Sequence, residues 1–391
     1  MCAWHRCGAL TAASPALPCE NRDVAADVDE LALAKTLIAH DTSSADGVRD
    51  AMGFIAGWLD GHGVEHRESD VNGLPTLVAT VGEGPATVLW SAHVDVVPGS
   101  PDQFQPRRDD GLLFGRGAYD MKGALAAMLA ALADLEARPN PPRGACAKLV
   151  LVADEESDSK PLHAKATARL VAAGHVGDFV ICGEPTDLQI GVQAKGALVL
   201  RLDVRGRSAH GSTPALGKNA VLEAIDIYHR VERLPFMSAR SQLFDPPTVN
   251  LGRIAGGDAV NRVPDRCTLV LDVRILPGQD PDEVVAQVRS LGTPVEVLYQ
   301  VPAADLDPRH PGVHLLRRVV HGHRQGRALS VGRAGASDAV LFLERGIPSV
   351  EFGPTGADHH GPDEHVEIAS LAVYRRVLTE FVEAAADIGP A

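Results

Sequence analysis

The stretch Ser91–Gly123, SAHVDVVPGSPDQFQPRRDDGLLFGRGAYDMKG, decides how the rest of the chain reads. The apolar run Thr87–Trp90 leads into His93-Val94-Asp95, and Pro98 closes it. Residues two apart in an extended strand share a face, so His93 and Asp95 are expected to look into one site. One division of labour puts His93 on a metal while Asp95 accepts the other ring N–H and fixes the tautomer. Further on, Gly115-Arg116-Gly117-Ala118-Tyr119-Asp120 reads as a tight turn that sets Asp120 just ahead of an alanine-rich helix beginning near Lys122. A lone HxD motif is usually a satisfied buried histidine; joined to the turn and its acid, it points to a metal site.

Working outward, the same arrangement recurs. The apolar strand Lys148–Ala153 runs into Asp154-Glu155-Glu156 and then a helix, Ala164–Ala173. Strand Asp178–Cys182 runs into Gly183-Glu184-Pro185-Thr186, and Pro348–Phe352 precedes His359-His360. Upstream, the spacing suits helices over Val24–Leu37 and Val48–Asp60 and strands over Leu77–Thr80 and Thr87–Val97. Continuous apolar strands alternating with helices imply an α/β unit with a largely parallel sheet flanked by helices. Ligands of such sheets bind beyond the carboxyl ends of the strands, where these acids and histidines gather. Between Gln193 and Gln300 the order becomes β-α-β-β-α-β, which suits an inserted α+β, ferredoxin-like unit. The expected division is 23–192 with 302–391 for the catalytic unit and 193–301 for the insert. Residues 1–22 read as a disordered extension.

A chain of 391 residues is long for one core, which agrees with two domains. Asp and Glu number 51 against 37 Lys and Arg, a net charge of -14 that argues against a nucleic-acid partner or an anionic membrane surface. No apolar run is long enough to span a bilayer. The six cysteines form no CxxC pair; Cys2, Cys7 and Cys19 lie near the start, and Cys146, Cys182 and Cys267 in or beside apolar strands. That usage fits buried thiols in the reducing cytoplasm. Gly115-Arg116-Gly117 is too short for a dinucleotide fingerprint.

The candidate metal ligands are His93, Asp120, Glu156, Glu184 and His360. Imidazoles and carboxylates suit zinc, and five ligands with one shared suit two ions about 3.5–4 Å apart, an arrangement that lowers the pKa of bound water to roughly 7. Glu155, beside a ligand but not needed as one, suits the general base.

AHVDVVP (92–98), GRGAYDMKG (115–123), ADEES (153–157), GEPT (183–186) and HGPDE (360–364) together resemble the co-catalytic zinc metallopeptidases and deacylases. That family includes acetylornithine deacetylase, succinyl-diaminopimelate desuccinylase, aminoacylase and glutamate-releasing carboxypeptidases. The resemblance runs from about residue 25 to the end and implies a zinc-exopeptidase-like fold with a lid and dimerisation domain. It makes Asp120 the bridging carboxylate, with His93 and Glu184 on one zinc and Glu156 and His360 on the other. His360 is chosen over His359 because the family's ligand precedes an acid by four positions, as His360 precedes Glu364. Glu155 matches the family's base and Asp95 its partner for the histidine. Ser208-Ala209-His210-Gly211 resembles the lid motif whose histidine, His210, stabilises the oxyanion in the partner subunit's site. GGDAVNRVPD (256–265), with Asn261, and Asp272-Val273-Arg274 resemble substrate-binding segments; Arg274 would clamp a carboxylate, against a plain strand salt bridge. Gly335-Ala336-Ser337-Asp338, with Ser337, resembles the loop closing over the same end. Ser157-Asp158-Ser159 departs from the glycine that often follows the double glutamate.

The resemblance therefore implies two zinc ions per subunit, with cobalt or another divalent ion able to substitute, and a homodimer formed through the lid. The expected reaction is attack by a zinc-bound hydroxide on the amide of a small N-acyl amino acid. Glu184, where peptidase members more often carry aspartate, favours acetylornithine deacetylase-like or succinyl-diaminopimelate desuccinylase-like activity over dipeptidase or carboxypeptidase action. A non-catalytic metal-dependent binding protein is the reading from another class, and the intact Glu155 and ligand set weigh against it.

Overall fold

Residues 28–139, 144–156, 165–324, 326–335 and 337–387 are described by a computed structural model. The expected N-terminal extension, the first residues of the expected Val24 helix and the Ser157-Asp158-Ser159 turn lie outside them. The first helix is Glu30–Ala39, starting later than its apolar pattern suggested because the Asp29 carboxylate accepts from the Leu31 and Ala32 N–H groups. The second, Ala45–Gly61, is capped by Ser44.

Four mutually parallel strands form the middle of a large sheet, in the order Ala145–Val152, Ala86–His93, Phe179–Cys182, Ser349–Glu351. Along Ala86–His93, Val88 and Trp90 enter one apolar cluster and Leu89 enters another on the opposite face, so the sheet is buried on both sides. Helix Gly123–Glu136 and the C-terminal helix Ile368–Ala384 cover the first face; Ala166–Ala172 and Ala339–Leu343 contribute to the second. Arg375 joins three helices, with Nε and Nη2 at 2.6 and 2.5 Å from the Asp134 carboxylate and Nη1 at 2.6 Å from Glu30 Oε2.

The sheet's flanks are mixed. Leu74–Val81 pairs antiparallel with Ala145–Val152, and Glu65–Val71 completes a hairpin at that edge. On the other side Ile190–Ala194 pairs antiparallel with Ser349–Glu351, and takes Ala304–Asp305 antiparallel and Ser330–Arg333 parallel. The Glu65–Val71 strand, EHRESDV, is mostly exposed and has no apolar run for a sequence reading to find.

The six expected elements of the insert are all present. Its four strands lie in the order Thr248–Gly256, Arg266–Ile275, Gly196–Arg205, Val295–Val301, antiparallel throughout, with helices Ala220–Val231 and Pro281–Arg289. Leu198, Leu200, Leu202, Leu269, Leu271 and Val273 form their own core with residues of those helices. A third sheet, which the sequence reading did not foresee, orders Gly356–Ala357, His365–Glu367, Leu112–Phe114 and Arg107–Asp109. Its His365–Phe114 register brings the Gly115 turn against Glu364, whose carbonyl accepts the Gly115 N–H at 3.0 Å.

Leu271→Ala empties a fully buried position in the insert's core. The expected cost is about 2–5 kcal/mol, read from the urea midpoint at unchanged m-value. A loss under about 1 kcal/mol would show that this cluster does not hold the insert together.

Candidate metal centre and its cavity

Parallel strands deliver their ends to one edge, and the register sets which residues meet. His93 pairs with Val152, so the Asp154-Glu155-Glu156 segment leaves beside it; Ser91 pairs with Cys182, which places Glu184 just beyond. Strand pairing of Ala86–His93 stops at His93, short of the expected Val97. Asp120 comes from the turn before helix Gly123–Glu136. Gly117 in that turn has φ 80°, and a Cβ there would meet Val96 Cγ1 at 2.7 Å, so both conformation and space call for glycine.

Two groups of ligand atoms result, each lying within 4.8 Å of one another: His93, Asp120 and Glu184, and Asp120, His359 and His360. Asp120 belongs to both, as a bridging carboxylate would. His93 Nε2 is 3.2 Å from Asp120 Oδ1 and 3.9 Å from Glu184 Oε1. His360 Nε2 is 3.0 Å from Glu156 Oε1 and 3.4 Å from Asp120 Oδ2, while His359 Nε2 lies against Asp120 Oδ2. The structure thus brings all five expected ligands together and adds His359, which the sequence reading treated as a neighbour.

Asp95 is placed differently from expectation. The His93 Nδ1–H faces the Asp95 backbone carbonyl at 3.0 Å, with the carboxylate Oδ1 at 3.6 Å, and Asp95 Oδ2 accepts the Glu156 N–H at 2.9 Å. Beyond the last strand pair the chain turns, so the main chain rather than the carboxylate fixes the tautomer. Asp95 instead ties the Glu156 segment to the His93 strand.

Burial raises three of these carboxyls, and the His93 ring opposes it. Burial pushes Asp95 up to about 6 and Glu155 up to about 8, the latter opposed by Lys165 and His93, and it raises Glu184 well above the usual range. Burial acts on Asp120 too, but the His359, His360 and His93 rings overcome it and hold that carboxyl well below normal. The side chains of Asp95, Asp120, Glu155, Glu156 and Glu184 crowd together largely out of water, and Asp95 Oδ1 has no hydrogen-bond partner. A surplus of buried carboxylates interleaved with imidazoles is the donor set that divalent cations neutralise, and these residues fit such ions.

The cluster opens into a cavity of about 530 Å³ lined by Asp120, Glu155, Glu156, Glu184, His359 and His360 on one side and by Ala197, Val199, Asp272, Arg274, Leu298 and Tyr299 of the insert on the other. Lys165 and Arg333, which no motif singled out, also line it; Lys165 Nζ donates to the Glu155 carbonyl. Arg274 reaches the wall with its guanidinium on its strand neighbour Asp272, at 2.9 and 3.0 Å. Ser337 turns away, its hydroxyl 2.5 Å from Glu351 Oε1. His210 is exposed, with Nδ1 2.7 Å from Ser212 Oγ, and it bridges to Arg262 on the loop of Asn261, whose carbonyl accepts the Gly211 N–H at 2.7 Å. Neither His210 nor Asn261 lines this cavity.

Arg116 and Glu364 brace the centre, a role no spacing rule assigned them. Arg116 Nη1 is 2.6 Å from Glu364 Oε2 and Nη2 donates to the His360 carbonyl at 3.1 Å. Glu364 Oε1 accepts the Tyr119 and Asp120 N–H groups, both at 3.1 Å. The available signal was an arginine set between the two glycines of the turn that carries Asp120.

Fold and cluster together define a metal-dependent hydrolase acting on amide or peptide bonds. Residues 89–384 match the model of Peptidase family M20/M25/M40, and the chain belongs to that family. The family is metal-dependent. A succinyl-diaminopimelate desuccinylase of Rhodospirillum centenum is 30% identical over 380 residues, covering 90% of this chain and 96% of that protein. An acetylornithine deacetylase of Edwardsiella ictaluri is 30% identical over 383 residues, covering 90% and 96%. Among solved structures, a tripeptidase from Staphylococcus aureus shares the fold with a TM-score of 0.75 at 21% identity, covering 92% of this chain and 99% of its own.

Glu364→Gln leaves the buried Arg116 charge unpaired. It should cost about 3–5 kcal/mol of stability and weaken divalent-metal binding about 10- to 100-fold, read by denaturant titration and calorimetry. Unchanged values in both would remove Glu364 from this role. A second outcome concerns His360, whose pKa the Asp120 and Glu156 carboxylates raise from 6.5 to about 10 in the metal-free protein. Because the folded-state value is the higher, its contribution to stability is full below pH 6.5 and disappears as pH rises through about 10. An ion entering at neutral pH must displace that proton, so zinc titrations in buffers of different ionisation heat should report proton release. Release that persists undiminished in His360→Gln would mean that the proton comes from elsewhere.

Proposed function

We propose that the protein is an N-acyl amino acid amidohydrolase, acetylornithine deacetylase-like or succinyl-diaminopimelate desuccinylase-like, with two zinc ions in each subunit. The observation that carries this reading is the pair of ligand groups sharing Asp120, with Glu155 beside them in the same cavity. His93 and Glu184 would hold one ion and Glu156 and His360 the other, both through Asp120, with His359 close enough to assist. Bound there, the ions supply Lewis acidity for the amide carbonyl and acidify water.

Glu155 takes the proton from the attacking water and passes it to the leaving nitrogen. Burial raises its carboxyl above the usual range, which suits a group that must return the proton it has taken. Lys165, with Nζ 3.9 Å from Glu155 Oε1, holds that side chain in place. The wall formed by Val199, Leu298 and Tyr299 keeps water from the reacting amide.

Glu184 and the two relatives favour deacylation. Peptide cleavage is the second reading, favoured by the fold shared with the tripeptidase. A homodimer through the insert is part of the proposal, and in it His210 would serve the partner's site. Leu216, Leu222, Ile225, Ile254 and Val260 are exposed on the insert, which supports that reading. No described helix is long and apolar enough to cross a membrane, and the free thiols Cys146, Cys182 and Cys267 support a cytoplasmic setting.

The test is amine release from N-acetyl-ornithine, N-succinyl-diaminopimelate, N-acetyl-methionine and two dipeptides. Turnover of an N-acyl amino acid should vanish with chelator and fall about 10²- to 10⁴-fold in Glu155→Gln, which should still bind zinc. Cleavage of dipeptides alone would replace the deacylase reading with the peptidase one. Full activity in Glu155→Gln would remove the base assigned here.

A further inference from the structure

A second cavity, of about 420 Å³, shares no lining residue with the one at the acid cluster. His314, Arg317, Arg318, His321, Arg327 and Ala328 line it, so its side chains are basic apart from one alanine and none is acidic. In a chain with a net charge of -14, that is the reverse of the overall balance. Helix Pro311–His323 creates the concentration. Val313, Leu315, Leu316, Val319 and Val320 on its buried side enter the main apolar cluster. His314, Arg317, Arg318 and His321 follow the i, i+3, i+4, i+7 spacing and so form one stripe along the helix. Arg327 and Ala328, after the helix, complete the pocket.

We propose that this pocket is a binding site for a small phosphoryl anion, a diphosphate group either free or carried by a nucleotide, separate from the metal centre. The proposal does not depend on which amide the metal centre cleaves.

Arg317 is the anchored member of the set. Its Nη2 donates to Ser330 Oγ at 2.8 Å and its Nη1 to His314 Nδ1 at 3.3 Å. A guanidinium only donates, so His314 accepts through Nδ1 and carries its proton on Nε2, which remains a donor. Arg318, His321 and Arg327 are exposed and make no hydrogen bond or ion pair among the described residues. Glu380, on the neighbouring C-terminal helix, is held by His323 Nε2 at 2.5 Å and does not line the pocket. Cations gathered without a counter-charge repel one another, and a bound anion removes that repulsion. Three guanidinium forks around one hollow match a phosphoryl group, whose several charged oxygens accept from more than one fork at once. A single carboxylate, with two oxygens and one charge, leaves most of these donors unused. The volume is that of a small-molecule site. A long polyanion or an acidic protein would extend past the stripe onto a surface whose net charge repels it.

The test is calorimetric titration of the metal-loaded full chain with inorganic pyrophosphate, ADP and citrate at one ionic strength. Arg318→Gln and Arg327→Gln alter exposed side chains outside the metal centre. Each should weaken pyrophosphate and ADP about 3- to 10-fold, and the two together about 10- to 100-fold, the range of lost charge-assisted hydrogen bonds. Citrate, a carboxylate anion of comparable charge, should lose less than about 3-fold in the double variant. Arg289→Gln, which removes one exposed charge from the insert, should leave all three affinities unchanged. Equal affinities for pyrophosphate and ADP support recognition of the diphosphate alone, and tighter ADP binding supports a nucleotide. Phosphates also ligate zinc, so binding that survives intact in the double variant belongs to the metal centre and overturns the proposal. It is equally overturned by no binding of either phosphate, by a citrate loss as large as that of pyrophosphate, or by the same loss in Arg289→Gln.

Discussion

Arg116 and Glu364 are 248 positions apart in the chain and meet as a buried ion pair at 2.6 Å. Each does more than neutralise the other. Glu364 accepts from the N–H groups that set the Asp120 turn, and Arg116 donates to the carbonyl of His360. The shared ligand and the histidine of the second group are thus positioned by one charge pair, and the small sheet joining Leu112–Phe114 to His365–Glu367 brings its two halves together. Both Glu364 oxygens are taken and Arg116 Nε alone is left without a hydrogen-bond partner; a lone buried charge in the same place would be far costlier. The centre depends on that pair being complete.

The acid cluster is a second constraint, and it works against the fold. Burial drives Asp95, Glu155 and Glu184 towards protonation, and the imidazoles restrain only Asp120 strongly. A site prepared for cations is electrostatically unfavourable without them, so metal binding and stability are linked. The rigid parallel sheet bears this cost: Trp90, Leu149, Ile181 and Val350 are fully or almost fully buried just behind the strand ends. Such placement sets the candidate ligands on regular strands and turns, facing a cavity wall contributed by the insert.

Much of the fold was legible in the sequence because apolar periodicity records burial. The parallel strands announced themselves as continuous apolar runs, and the insert as a change to β-α-β-β-α-β order; in the structure Leu198, Leu200 and Leu202 turn inward while Val199 lines the cavity. Elements whose residues carry little burial signal were missed: the charged edge strand Glu65–Val71 and the short strands of the third sheet. The acids and histidines that gather in the cluster were legible for a related reason, since such residues after apolar strands are conspicuous. His359 was discounted because spacing can rank two adjacent histidines but cannot say whether both rings turn inward.

The sequence by itself determined the elements, the five motifs and the residue types able to bind metal, because those depend on local pattern and on side-chain chemistry. Tertiary structure alone decided which groups meet and which atoms they present. It placed the main-chain carbonyl of Asp95, rather than its carboxylate, against His93; it turned Ser337 towards Glu351; it paired Arg274 with Asp272; and it set Arg333 at the cavity. Each of these turns on a strand ending or pairing at one residue rather than the next. Register and side-chain direction arise from contacts between segments far apart in the chain, so they appear only once the whole core has packed.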